Sequence, residues 1–275
     1  MSAAFNRRTI LRALSSSLAG LLCGAHEGAH AVPVKKAVGT TALAGRSIRF
    51  ADLTHALTSE FNLDPARPRI ALDPIVGSGF AVGMHLNRLL LVEHTGTHID
   101  APRHFDAQGV SLGELPLDDL IVPLAIIDLS ERVAADRDAE LTPKDVQQWE
   151  KRYGRLPEGC CVAIRCDWDP IGEWNKRGSM SPEEARRSPG FGMQVAHMLI
   201  TERAVKGIAV ETLSIDTGTN GPAYPVHQLW LKSGRWGIEG ITNLQSVPAV
   251  GALLIVGAAP VKGATGLPVR AIALF

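Results

Sequence analysis

Short apolar runs recur along this 275-residue chain and constrain its fold more than any other feature. They lie at 47–53, 83–93, 121–129, 161–167, 208–215, 253–260 and 269–274, and each reads as a strand. Three helix signals stand between them. Thr142 is a good N-cap, Pro143 suits the first helical position and Gly154 ends the run. Residues 194–205 carry apolar side chains at helical spacing and stop before Gly207, and Pro225–Lys232 stops before Gly234. Strands outnumber helices and do not alternate regularly with them. The predicted fold class is therefore mixed α/β, a single domain with a central β-structure flanked by helices, rather than a doubly wound parallel sheet. With 45% hydrophobic residues the chain can bury a sizeable core.

The beginning of the chain differs from the rest. Arg7 and Arg8 precede a Ser-containing, weakly apolar run, 13–24, that is too short to span a bilayer. Ala29-His30-Ala31 then offers a small-residue cleavage site. Charge, apolar run and cleavage site in that order predict a signal peptide over 1–31 of the twin-arginine type, hence a periplasmic protein. Bulky Leu22 weakens the alternative of a lipid anchor at Cys23, so no stable membrane anchor is expected. Residues 32–46 are small and polar and read as a flexible leader, which leaves 47–275 as the catalytic domain. Without the signal the chain keeps 25 basic and 27 acidic residues. That balance excludes a nucleic-acid surface, which needs a basic excess. Three cysteines remain, an odd count that makes no disulfide framework. Cys160 and Cys161 would face opposite sides of a strand, which makes them packing residues rather than metal ligands.

Three of the seven remaining histidines crowd into Glu93-His94-Thr95-Gly96-Thr97-His98-Ile99-Asp100-Ala101-Pro102-Arg103-His104-Phe105. A helix would pair His94 with His98, but Gly96 and Pro102 make a helix costly. An extended segment places His94, Gly96, His98 and Asp100 on one face, with Thr95, Thr97 and Ile99 on the other. Two imidazoles and a carboxylate suit zinc or manganese. His104 follows the bend at Pro102, where it can reach a water without ligating. A closed structural metal site is the competing reading, and it would need a fourth protein ligand. His227 by itself reads as a helix-surface histidine. Glu239, flanked by apolar residues, would be costly to bury without a cation or a strong donor.

The run His94-Thr95-Gly96-Thr97-His98-Ile99-Asp100-Ala101-Pro102-Arg103-His104 resembles the H-x-G-T-H-x-D-x-P-x-H signature of the cyclase family, which includes bacterial kynurenine formamidases and isatin hydrolases. The resemblance extends to 52–57, 162–165, 212–216 and 268–273. It implies a swivelling β/β/α fold and a homodimer or higher homo-oligomer. It also implies His94, His98 and Asp100 as the first metal ligands, with Asp100 bridging in binuclear members. His227 and Glu239 would hold a second ion, and His104 would be the base or proton shuttle. Glu211, where many relatives have aspartate, and Cys166, in place of a common threonine, point to a changed pocket wall rather than a changed metal site.

The implied reaction is hydrolysis of a cyclic amide or aryl formamide, a small-molecule substrate, by metal-activated water. His104, at its ordinary pKa of about 6.5, would titrate near neutrality. Export favours an external lactam such as isatin over a housekeeping formamide. Trp168, Trp174, Trp230 and Trp236 could line an aromatic pocket, although tryptophans also serve as core and rim residues. Two alternatives remain: a cyclase or dehydratase that uses the metal as a Lewis acid, and a non-catalytic periplasmic metal- or ligand-binding protein.

Overall fold

In the computed structural model, which describes residues 38–43, 45–58, 70–75, 84–176 and 179–275, the strands gather into one ten-stranded sheet and two small two-stranded ones. The expected signal, 1–31, and the first part of the expected leader, 32–37, lie outside the described residues. Along the chain the strands are β1 (Val38–Leu43), β2 (Arg46–Asp52), β3 (Ala71–Pro74), β4 (Asn87–Leu90), β5 (His98–Asp100), β6 (Ile121–Asp128), β7 (Glu140–Leu141), β8 (Cys161–Arg165), β9 (Gly190–Phe191), β10 (Gly207–Val210), β11 (Trp236–Glu239), β12 (Ala252–Gly257), β13 (Gly266–Pro268) and β14 (Arg270–Leu274). The helices are α1 (Ser130–Ala135), α2 (Pro143–Tyr153), α3 (Pro170–Lys176), α4 (Met193–Thr201) and α5 (Pro225–Lys232).

The main sheet runs β1-β2-β14-β12-β6-β8-β10-β11-β5-β13. Its four middle strands, β6, β8, β10 and β11, are parallel, and antiparallel strands extend it on both sides. Parallel strands are covered on both faces, which explains why β6, β8 and β10 read as near-continuous apolar runs. Side chains alternate between two cores. Ala125, Ile127, Val162, Ile164, Ile208 and Val210 meet helix residues Val146, Trp149, Val195, Leu199, Val226 and Trp230 on one face. Leu124, Ile126, Cys161, Ala163 and Ala209 meet Ile99, Ile238, Leu254 and Ala271 on the other, so residues of both antiparallel wings share this second core. Cys160 and Cys161 split between the two cores, and burial pushes the Cys160 thiol up to about 12.

The local signals act as their chemistry requires. Thr142 and Asp145 form a reciprocal cap, with Thr142 Oγ1 donating to Asp145 Oδ2 at 2.6 Å, and Gly154 at φ +92° ends α2. Helix α4 ends at Thr201, short of the expected 205, and Ala204 takes a left-handed φ of +50°. Strand β10 ends at Val210, and the chain from Glu211 to Asp216 leaves the sheet. Two expectations change more. Residues 38–43, expected within a flexible leader, form β1 paired antiparallel with β2. The expected strand 83–93 shrinks to β4, which pairs with β3 outside the main sheet and leaves Leu72, Leu89 and Leu90 exposed. Among the described residues no helix is long and apolar enough to cross a membrane.

Candidate metal centre

The extended segment predicted around Gly96 forms only in part. Gly96 adopts φ +64°, so His94 sits on a bend and the strand begins at His98. Only His98 and Asp100 share a face through strand alternation. Their neighbours are set by register. Glu239 lies opposite His98 on antiparallel β11, and Gly237 lies opposite Asp100. On the other side β13 puts Gly266 opposite Asp100. Both ladder neighbours of Asp100 are therefore glycines.

His94 reaches the same place from the bend, with Nδ1 2.6 Å from Asp100 Oδ1. A Cβ on Gly266 would come within 2.6 Å of the His94 ring, so this close approach requires glycine. Helix α5 delivers His227, whose Nε2 lies 3.0 Å from Glu239 Oε1 and 3.5 Å from Asp100 Oδ2. His98 Nε2 stands 3.3 Å from Asp100 Oδ1 and 3.4 Å from Glu239 Oε2. The structure thus brings together all five residues singled out as ligands, although they come from four separate parts of the fold. His104 joins them from a single 3-10 turn after Pro102, its ring stacked on His94 at 3.8 Å between centroids.

The outer nitrogens of the His98 and His227 rings are already held. His98 Nδ1 bonds Gly96 O at 2.9 Å, and His227 Nδ1 bonds Asp216 Oδ2 at 2.7 Å. Asp216 is itself fixed by the amides of Val226 and His227 and by Asn220. Each bond turns the inner nitrogen toward the shared centre, the arrangement that orients imidazole ligands in metalloproteins. Asp216 was missed as a site residue. Its only sequence signal is a carboxylate ending the 212–216 stretch, and its role depends on contact with a helix eleven residues later.

His98, Asp100, His227 and Glu239 are all no more than 5% exposed. Burial opposes charge on Asp100, yet the His227, His94 and His98 imidazoles that face it hold it well below the carboxylate range. Burial likewise lowers His98 and His227, but the surrounding carboxylates outweigh it and push them up to about 9 and about 12. The cluster therefore demands positive charge at its centre. His98 Nε2 and Asp100 Oδ2 are buried with no hydrogen-bond partner, a cost of about 1–3 kcal/mol per group unless something fills the gap. A divalent cation fits this donor set. It satisfies both atoms and balances two buried carboxylates. Two overlapping groups, His94-Asp100-His104 and His98-Asp100-Glu239, have ligand atoms close enough to share an ion.

His104 departs from expectation in its basicity. Burial lowers it to about 4 against the opposing pull of Asp100, and the nearby His94, His227 and His98 rings lower it further. It is therefore neutral at pH 7, with a ring nitrogen free to accept a proton.

A cavity of about 360 Å³ adjoins the centre and is lined by Trp168, Arg137 and Tyr224 among others. Tyr224 links the two, because its ring lies 5.3 Å from that of His227. Of the tryptophans expected to form a pocket, Trp168 lines this cavity. Trp230 and Trp236 are buried in the two cores instead, and the Trp174 side chain lies outside the described residues. Glu211 stays outside the donor cluster. It accepts the amides of Cys166 and Trp168 around Asp167, whose φ is +52°, and so holds the turn that carries Trp168 into the cavity wall.

Residues 51–217 match the model of the Cyclase family, described as "Putative cyclase". The isatin hydrolase of Roseibium aggregatum is 33% identical over 68% of this chain and 74% of that enzyme. The kynurenine formamidase of Salinibacter ruber is 26% identical over 69% of this chain and 79% of its own length. Among solved structures, isatin hydrolase A from Ralstonia solanacearum superposes with a TM-score of 0.73 at 29% identity, covering 100% of this chain and 99% of that one. An isatin hydrolase bound to the product analogue thioisatinate gives a TM-score of 0.73 at 25% identity, covering 98% and 99%.

Proposed function

The chain belongs to the cyclase family, and on that premise we propose that it is a metal-dependent hydrolase that opens a cyclic amide or aryl formamide, with isatin-like lactams favoured. One observation carries the reading: buried His98 Nε2 and Asp100 Oδ2 converge without partners amid further donors from His94, His227 and Glu239. His94, His98 and Asp100 would hold the first ion, and His227 and Glu239, with Asp100, would hold a second. The nitrogen and oxygen donors suit zinc or manganese. When bound, such a cation supplies Lewis-acid activation of water and of the amide carbonyl.

His104 does the proton work. Neutral at pH 7, it accepts the proton that water loses as its oxygen bonds to the carbonyl carbon. The same imidazolium then donates to the departing nitrogen as the C–N bond breaks. The products are a carboxylate and an amine, with net acid released at neutral pH. The lactam preference is supported by the higher identity to an isatin hydrolase than to a kynurenine formamidase, and by the export signal read in residues 1–31.

We further propose a periplasmic, homo-oligomeric enzyme. The exposed apolar side chains of β3 and β4 support a self-association surface. Cell fractionation with Arg7→Lys plus Arg8→Lys tests export, and unchanged distribution overturns it. The reaction is tested by offering isatin and N-formylkynurenine to the metal-loaded chain with a pH indicator and mass detection. The expected result is acid release and, from isatin, a product heavier by one water. No acid from either compound, or a product lighter by one water, overturns the proposal.

A further inference from the structure

His94 has an outer nitrogen whose support differs in kind from that of His98 and His227. Its Nε2 lies 2.9 Å from the hydroxyl of Thr265, a residue distant in sequence. That hydroxyl lies 2.5 Å from Glu93 Oε2, and the same carboxylate oxygen accepts the Thr265 amide at 3.2 Å. Thr265 cannot drift, because its carbonyl accepts the Ala101 amide and Gly266 pairs with Asp100 in the β5–β13 ladder. The chain Glu93–Thr265–His94 is therefore centred on a residue fixed to the sheet.

A hydroxyl has one proton to give. Glu93 Oε2 accepts a backbone N–H, so it presents lone pairs, and the Thr265 proton is committed to it. Thr265 Oγ1 can then only accept from His94, which requires a hydrogen on Nε2. Nδ1, 2.6 Å from Asp100 Oδ1, shares a hydrogen with that carboxylate in the ion-free protein. A cation that displaces this hydrogen meets a ring whose other hydrogen is kept on Nε2, which frees the Nδ1 lone pair to ligate.

We propose that Glu93 and Thr265 are positioning residues that select the metal-binding tautomer of His94 by fixing the direction of this hydrogen-bond chain. The proposal rests on the reading of His94 as a ligand. It makes Glu93, which touches neither the cluster nor the cavity wall described above, a determinant of metal affinity. Removing Glu93 frees the hydroxyl to donate to Nε2, and the ring proton then moves to Nδ1.

The test is zinc affinity of the chain, stripped and titrated against a competing chromophoric chelator at fixed pH, with unfolding temperatures in chelator as a folding control. Thr265→Val should bind zinc about 10–100-fold more weakly, as loss of a partner behind a ligating histidine does, and Glu93→Ala at least as weakly. Thr265→Ser, which keeps the hydroxyl, should stay within about threefold of the parent. A merely structural role would shift the unfolding temperature without separating Val from Ser in affinity. The proposal is overturned if Thr265→Val and Glu93→Ala both bind like the parent, or if Thr265→Ser is as weak as Thr265→Val. A parent chain that binds no zinc overturns the ligand reading itself, and this proposal with it.

Discussion

The donor cluster has two halves that are positioned by different means. His98, Asp100 and Glu239 sit on adjacent strands, where ladder register fixes which side chains meet. His94 and His227 come from a bend and a helix, and hydrogen bonds behind each ring aim them inward. Register is cooperative with the whole sheet, so the first half is as rigid as the core beneath it. The second half depends on single buried contacts and is correspondingly easier to disturb. A polydentate site can thus combine a fixed platform with arms adjusted one bond at a time.

Breaking the platform should have the largest effect. Asp100 contacts all three histidines, so Asp100→Asn should abolish ion binding and cut turnover by roughly 10³-fold or more, the scale of several kcal/mol of lost charge stabilisation. Metal analysis and initial rates check this, and a loaded, active variant contradicts it. His104→Ala removes a ring that stacks on His94 but no proposed ligand. It should leave metal content intact while lowering turnover by about 10²–10⁴-fold. Asp216→Asn disturbs one arm only. Bound ions should fall toward one per chain, and affinity at the His227 position should drop by about 10–100-fold. Equal loss at both positions would mean the halves are not independent.

The smallest expected effect is one of pH on the ion-free protein. His98 and His227 are raised to about 9 and about 12 in the folded chain, above the roughly 6.5 of an unfolded histidine. The stability they contribute is complete below about 6.5, and His98's share is lost as pH rises through about 9. The unfolding temperature in chelator should therefore fall between pH 7 and pH 10. With zinc bound, the cation replaces those protons and the fall should disappear. A flat profile in chelator would show that the carboxylates do not hold these histidines protonated.

These differences also explain what could be read along the chain. Short-range chemistry was legible: the Thr142 cap, the ends of α5, the opposite faces of Cys160 and Cys161, and the crowding of donors between His94 and His104. The extended segment was read too long, because Gly96 permits a left-handed turn that periodicity does not reveal. Thr265 carried no signal and Asp216 only that of a carboxylate ending the 212–216 stretch, since each acts through a partner that only the tertiary fold brings close. Residues 38–43 read as leader because this short stretch of mostly small residues shows no clear alternation, and its strand depends on pairing with β2.

The central claim is that two imidazoles and one carboxylate, from a bend and a strand, share a single cation. Anomalous diffraction from crystals grown with zinc or manganese tests it most directly. The predicted result is a peak about 2.0–2.2 Å from His94 Nδ1, His98 Nε2 and an Asp100 oxygen. A peak ligated elsewhere, or these three side chains turned apart in a loaded and active protein, would contradict it.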